Sequence, residues 1–163
     1  MRSKAAYFGV FTTLALIFSY VESLIPIQLG IPGIKLGLAN LVIVVILYKM
    51  GTKEAYLLSV IRVVLSGFLF GNLFGILYSL AGGLLSLTVM AVLKKTKAFS
   101  LIGISAMGGV FHNIGQLLMA AVVLESFSIG YYFPVLFISG LVTGILIGVI
   151  AGEMLKRLNK IEM

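Results

Sequence analysis

Six long apolar runs, separated by short polar gaps, organise this chain from end to end. A helix that crosses a bilayer needs about 20 mostly apolar residues. The runs predict helices over residues 5–23, 36–50 and 54–70, then from the corner at 67–75 to about 93, and finally over 101–124 and 133–155. Ten of the twelve Lys and Arg residues fall at the ends or at every second gap. They are Arg2 and Lys4; Lys49 and Lys53; Lys94, Lys95 and Lys97; and Lys156, Arg157 and Lys160. Positive charge collects on the cytoplasmic side of a membrane. The alternation therefore predicts an all-α integral membrane protein, a six-transmembrane-helix bundle in the cell (cytoplasmic) membrane with both termini cytoplasmic. Six helices and short loops consume nearly all of residues 1–163, which are read as a single domain.

The gaps without cations lie on the outer side. The first, Leu24 to Lys35, is apolar but carries Pro26 and Pro32, which forbid a regular helix. An apolar, Pro-broken connection reads as a lid lying on the bundle. Gly67 to Gly75 reads as a tight apolar corner, and residues 125–132 as the last outer loop. Small residues recur at four-residue spacing in three helices: Gly140, Gly144, Gly148 and Gly152; Gly71, Gly75, Ser79 and Gly83; and Ala5, Gly9 and Thr13. Such stripes let helix backbones approach closely in lipid. The first two are expected to pack inside the bundle, whereas the stripe on the first helix is a candidate docking face for a partner subunit.

Composition narrows the function by exclusion. Hydrophobic residues make up 61% of the chain and mean hydropathy is +1.19, well beyond the 45–50% or so of soluble domains. A net charge of +7 would suggest nucleic acid in a soluble protein. Here the positive-inside bias accounts for ten of the cations, so no nucleic-acid partner is expected and attraction to anionic membrane lipid is. There is no Cys, no Asp and a single His, and the five acids are all Glu. Thiolate chemistry, paired-carboxylate catalysis and a His-rich metal site are thereby disfavoured, and neither metal nor cofactor is expected. No Gly-rich loop ending in Lys-Ser or Lys-Thr is present to cradle nucleotide phosphates. The N-terminal run is long enough to span and lacks a small-residue cleavage site, so it is read as the first crossing.

Polar side chains at bilayer depth cost about 2.5–3.5 kcal/mol each on insertion scales, so each needs a reason. Arg62 falls near mid-membrane in the third helix, and His112, Asn113 and Gln116 cluster in the fifth. His112 and Gln116 lie one turn apart on one face. Asn40 lies one turn into the second helix; Lys35 and Glu22 sit at the outer rim, and Asn72 in the outer corner. Arg62 has two readings, an internal clamp on carbonyls and amides or a partner for an external anion. No acid is expected at its depth, and an uncompensated cation in low dielectric calls for an anion from outside the chain. Its fork suits a phosphate or carboxylate. His112 is read either as a structural hydrogen-bonder or, with Asn113 and Gln116, as a polar wall for a ligand. Phe68, Phe70, Phe74, Tyr131 and Tyr132 are read as interfacial anchors.

The run Gly33-Ile-Lys-Leu-Gly-Leu-Ala-Asn40, the run Leu69-Phe-Gly-Asn-Leu-Phe-Gly75 and the six short helices resemble a bacterial membrane family. It is called both Gx transporter and heptaprenyl diphosphate synthase component I, and it is similar in size and pattern to the S components of energy-coupling-factor transporters. The resemblance implies a substrate cavity near the outer face, closed by the segment after the first helix. It also implies docking of the first helix, at Ala5 and Gly9, onto a transmembrane T subunit that works with an ATPase pair. Arg62 has no role carried over from the family.

The expected function is therefore a non-enzymatic substrate-binding membrane subunit that takes up a small, anionic molecule, vitamin-like or isoprenoid-phosphate-like. Lys35, Asn40, Arg62, Asn72, His112, Asn113 and Gln116 are its expected ligand contacts. The alternative is a non-catalytic membrane accessory protein for polyprenyl diphosphate or quinone synthesis. Prenyl diphosphate synthesis needs acidic clusters to hold magnesium, and this chain has only single, scattered Glu residues. A lone proton-coupled carrier is a third possibility, weakened by the lack of a mid-membrane acid.

Overall fold

The second apolar run, Leu-Ala-Asn-Leu-Val-Ile-Val-Val-Ile-Leu-Tyr-Lys, has no polar face, and a helix apolar all round belongs in an interior. In the computed structural model, which describes residues 2–25 and 37–161, this helix is the centre of the molecule. The elements are α1 (Arg2–Leu24), α2 (Leu38–Lys49), α3 (Thr52–Phe70), α4 (Leu73–Thr96), α5 (Leu101–Val123), a 3-10 turn (Phe127–Tyr132) and α6 (Phe133–Ile161). All seven residues from Leu41 to Leu47 are buried, with α1, α3 and α6 packed around them. Leu87 and Met90 of α4 and Ile104 of α5 join the same core. The remaining helices follow one another around α2, α3 against α4, α4 against α5 and α5 against α6. The Pro-broken segment expected as a lid, Lys35 included, lies outside the described residues.

Four helices, α1, α4, α5 and α6, are long and apolar enough to cross a membrane. With the large apolar side chains that stay exposed, such as Val10, Leu118 and Val122, they make this a multi-pass membrane protein of six helices. The other two depart from that pattern for separate reasons. The third helix carries Lys53, Glu54 and Arg62. At 12 residues, α2 is roughly 18 Å long, short of a hydrocarbon core of about 30 Å.

Because α2 is short and buried, its ends cannot rely on water to satisfy their backbone groups. Charges from other helices do so. Gly37, in a left-handed conformation at φ 75°, provides no side-chain cap, and the Leu38 N–H instead donates to Glu22 Oε1 of α1 at 2.9 Å. At the opposite end Lys94 of α4 turns inward, donating from Nζ to the Leu47 carbonyl at 2.6 Å and lying 4.8 Å from the Tyr48 ring centroid. An anion at the N-terminus and a cation at the C-terminus both complement the helix dipole. Lys94, read from sequence only as a topology marker, thus also holds α2 in place.

The glycine stripe of α6 packs against α5 at Gly140, Gly144 and Gly148, whereas Gly152 meets nothing within 4 Å. A Cβ on Gly144 would lie 2.6 Å from the Ser105 carbonyl oxygen and 2.7 Å from Ala106 Cα, and one on Gly148 2.8 Å from Ile102 Cα. The fifth helix answers with Gly109, which faces the Gly140 carbonyl. The stripe on α4 departs from the expectation. Gly71 caps the end of α3 instead of lying on α4; Gly83 reaches Ser59 Oγ of α3, while Gly71, Gly75 and Ser79 face a cavity. The close seam between α4 and α5 uses Gly82 against Gly115 and His112 instead. On α1, Ala5, Gly9 and Thr13 are all exposed, and a Cβ on Gly9 would meet nothing within 4 Å.

Candidate functional site

All six helices contribute to a cavity of about 160 Å³, measured as the space open to water centres. One water needs only about 10–15 Å³ on this measure, so the cavity has room for a small molecule. Its lining runs from the α4 N-cap Asn72 to Met90, eighteen residue steps or roughly 27 Å of helix. The space exists because small residues face it. Gly71 in the turn before α4 and Gly75 and Ser79 on it leave room that larger side chains would fill.

Arg62 is the dominant charge. It follows ten residues after the start of α3, roughly 15 Å along that helix, and is 8% exposed. Its terminal Nη2 donates to Asn40 Oδ1 of α2 at 3.1 Å. Its Nε is buried without a hydrogen-bond partner. The internal-clamp reading is visible at Nη2, while Nε, buried, has no partner on a residue that lines the cavity.

The expectation that no acid shares the depth of Arg62 needs correction. Glu22 lines the same cavity and is close enough for its charge to act on Arg62. The two form no hydrogen bond, since the Glu22 carboxylate is turned to the Leu38 N–H. From sequence Glu22 is the acid within reach of Arg62 but starts near the surface; in the fold it caps the first N–H of α2 and lines the cavity.

The other predicted residues separate into two groups. Asn40, Asn72, His112 and Asn113 line the cavity together with Arg62. Asn72 is also the N-cap of α4, its Oδ1 accepting from the Gly75 N–H at 2.8 Å. Asn113 is committed to α6, donating to the Leu136 carbonyl at 2.6 Å and to Ser139 Oγ at 3.2 Å. Gln116 does not line the cavity; it is buried against Gly82 at the seam with α4. His112 and Gln116 both meet Gly82 at the seam, and of the two His112 also lines the cavity. Lys35 lies outside the described residues.

Sequence reading missed the hydroxyls. Ser19 and Ser23 of α1, Ser66 of α3, Ser79 and Ser86 of α4, Ser105 of α5 and Thr143 of α6 all face the cavity, and Ser19 Oγ is buried without a partner. A signal was available in the spacing: Ser19, Glu22 and Ser23 share one face of α1, and Ser66 lies one turn beyond Arg62. Phe70, expected only as an interfacial anchor, lines the cavity and touches Tyr20, with ring centroids 4.9 Å apart. Among the described residues no group of three His, Cys, Asp or Glu side chains gathers to hold a metal ion.

A multi-pass helical bundle whose six helices line one polar cavity holding Arg62 and Glu22 defines a polytopic membrane protein. The chain belongs to the heptaprenyl diphosphate synthase component I family, whose model matches residues 11–154. No curated protein and no solved structure matches it.

Proposed function

We propose that the protein is a non-catalytic membrane subunit that captures a small anionic molecule in the Arg62 cavity. The buried, partnerless Nε of Arg62 carries this reading. A cation desolvated to this degree is costly unless an anion meets it, and a bound phosphate or carboxylate supplies that anion with fork geometry. Asn40 orients the guanidinium, and Asn72, His112 and the hydroxyls around them give the neutral hydrogen bonds that fix a polar ligand. Asn113 and Gln116 serve the site indirectly by holding α5 against its neighbours. Lys35 is proposed as a further contact from sequence.

In this reading the cavity mouth near Glu22 and Asn72 faces outside and both termini lie in the cytoplasm. The exposed face of Ala5, Gly9 and Thr13 docks a transmembrane T subunit with its ATPase pair, which supplies the energy for uptake. The decisive experiment compares wild type with Arg62→Ala by native mass spectrometry of the gently purified protein and by titration with inorganic phosphate. Retained anion and phosphate binding should both disappear in a variant that still inserts and folds. Unchanged affinity would remove the anionic cargo from the reading.

The family description favours a second reading, a membrane accessory of a prenyl diphosphate synthase in which the cavity holds a diphosphate group. The carboxylates Glu22, Glu54, Glu125 and Glu153 sit on separate elements, so the chemistry would belong to the partner. Co-purification separates the two. Recovery with T and ATPase subunits supports uptake, whereas stable recovery with a soluble prenyl synthase supports the accessory role.

A further inference from the structure

Two opposite charges face one cavity here without bonding to each other. Arg62 has an unsatisfied Nε, and Glu22, half-buried, gives one oxygen, Oε1, to the Leu38 N–H. Among the described residues no donor meets its Oε2. Had the two side chains evolved only to neutralise each other, a direct ion pair would be the cheapest arrangement, since a buried pair repays desolvation only at close range with good geometry. The fold instead turns Glu22 toward the start of α2 and Arg62 toward Asn40, and Ser23, Ser66 and Asn72 line the same cavity.

We propose that the ligand is a zwitterion, its anionic group held by Arg62 and a protonated amine, or an equivalent cationic donor, held by Glu22. This rests on the anion reading of Arg62 and narrows it. A purely anionic ligand would be repelled by Glu22 at the mouth. A neutral one would leave the Arg62 Nε unmet. A molecule carrying both charges satisfies the carboxylate and the guanidinium at once, and the serine hydroxyls and Asn72 of the same lining suit its uncharged polar part.

The test uses the full chain in detergent and two probes of nearly equal size, 2-aminoethylphosphonate and propylphosphonate, which differ by an ammonium in place of a methyl group. Dissociation constants are measured for wild type and for Glu22→Gln, whose amide oxygen still accepts from Leu38. The wild-type protein should bind the amino probe at least about ten-fold more tightly, the worth of one charge-assisted hydrogen bond. In Glu22→Gln the ratio should fall close to one, with propylphosphonate bound as well as before or better. Equal affinities in wild type overturn the proposal while leaving Arg62 as an anion site, and so does a ratio that survives Glu22→Gln. If neither probe binds wild type, the anion reading fails and takes this proposal with it. The wild-type ratio decides the matter even if the variant fails to fold.

Discussion

Arg62 of α3 donates to Asn40 Oδ1 of α2 at 3.1 Å, so the one deeply buried cation among the described residues is steered by a neutral amide rather than by a carboxylate. An amide orients a guanidinium without cancelling its charge. That distinction leaves the guanidinium its full charge and makes residue 40 a control point.

Replacing Asn40 with Asp would put an internal carboxylate where the amide oxygen now sits. The new acid competes with any bound anion for the same guanidinium. Phosphate affinity should drop by about ten-fold or more, the worth of a charge-assisted bond, while thermal stability holds or rises. Titration and thermal unfolding of the same preparation read both effects. Tighter phosphate binding in Asn40→Asp would contradict the arrangement.

The α4 stripe and the α5–α6 seam should respond differently to added bulk. A Cβ on Gly75 meets only Asn72 Oδ1, at 3.3 Å, and the cavity lies beyond it. Gly75→Leu is expected to fill the cavity and abolish ligand retention with little change in melting temperature. By contrast, Gly144→Leu drives a side chain into the backbone of Ser105 and Ala106 and should cost about 1–3 kcal/mol or more in stability. Gly152→Ala, with nothing within 4 Å, should be silent.

Asn113 separates stability from binding. Its amide ties α5 to Leu136 and Ser139 of α6, so Asn113→Ala should lower stability by about 0.5–1.5 kcal/mol. Phosphate affinity should fall less than in Arg62→Ala. An equal loss of affinity with no loss of stability would assign Asn113 to the ligand instead.

Two adjacent lysines should behave unlike each other. Lys94→Met removes the donor on the buried Leu47 carbonyl and is expected to destabilise the protein by about 1–3 kcal/mol. Lys95→Met, on an exposed side chain, should have no measurable effect. Denaturant titration in mixed micelles compares them directly.

Several features were legible before any coordinates. The apolar runs set six helices, and their ends agree with the structure to within about three residues except at α6, which continues through the basic tail to Ile161. The cost of a cation at depth singled out Arg62, and the unusual amides at 40, 72 and 113 fell on the same cavity. The serines escaped notice because a hydroxyl in an apolar helix is cheap and common, and its own backbone can satisfy it, as Thr12 does with the Phe8 carbonyl.

Burial energetics operate along one helix at a time, so hydropathy, glycine periodicity and the expense of charge in lipid could be read directly from the order of residues. Which stripe closes a seam and which opens a cavity is a matter of what lies opposite, and Gly75 and Gly144 differ only in that. The same holds for Glu22, distant from Arg62 along the chain and brought beside the same space by a short central helix whose first N–H it caps. One-dimensional pattern therefore determined the membrane character and the suspect cation. The pairing of helices decided where that cation points, because only the packed bundle fixes the distances over which charges and hydrogen bonds act.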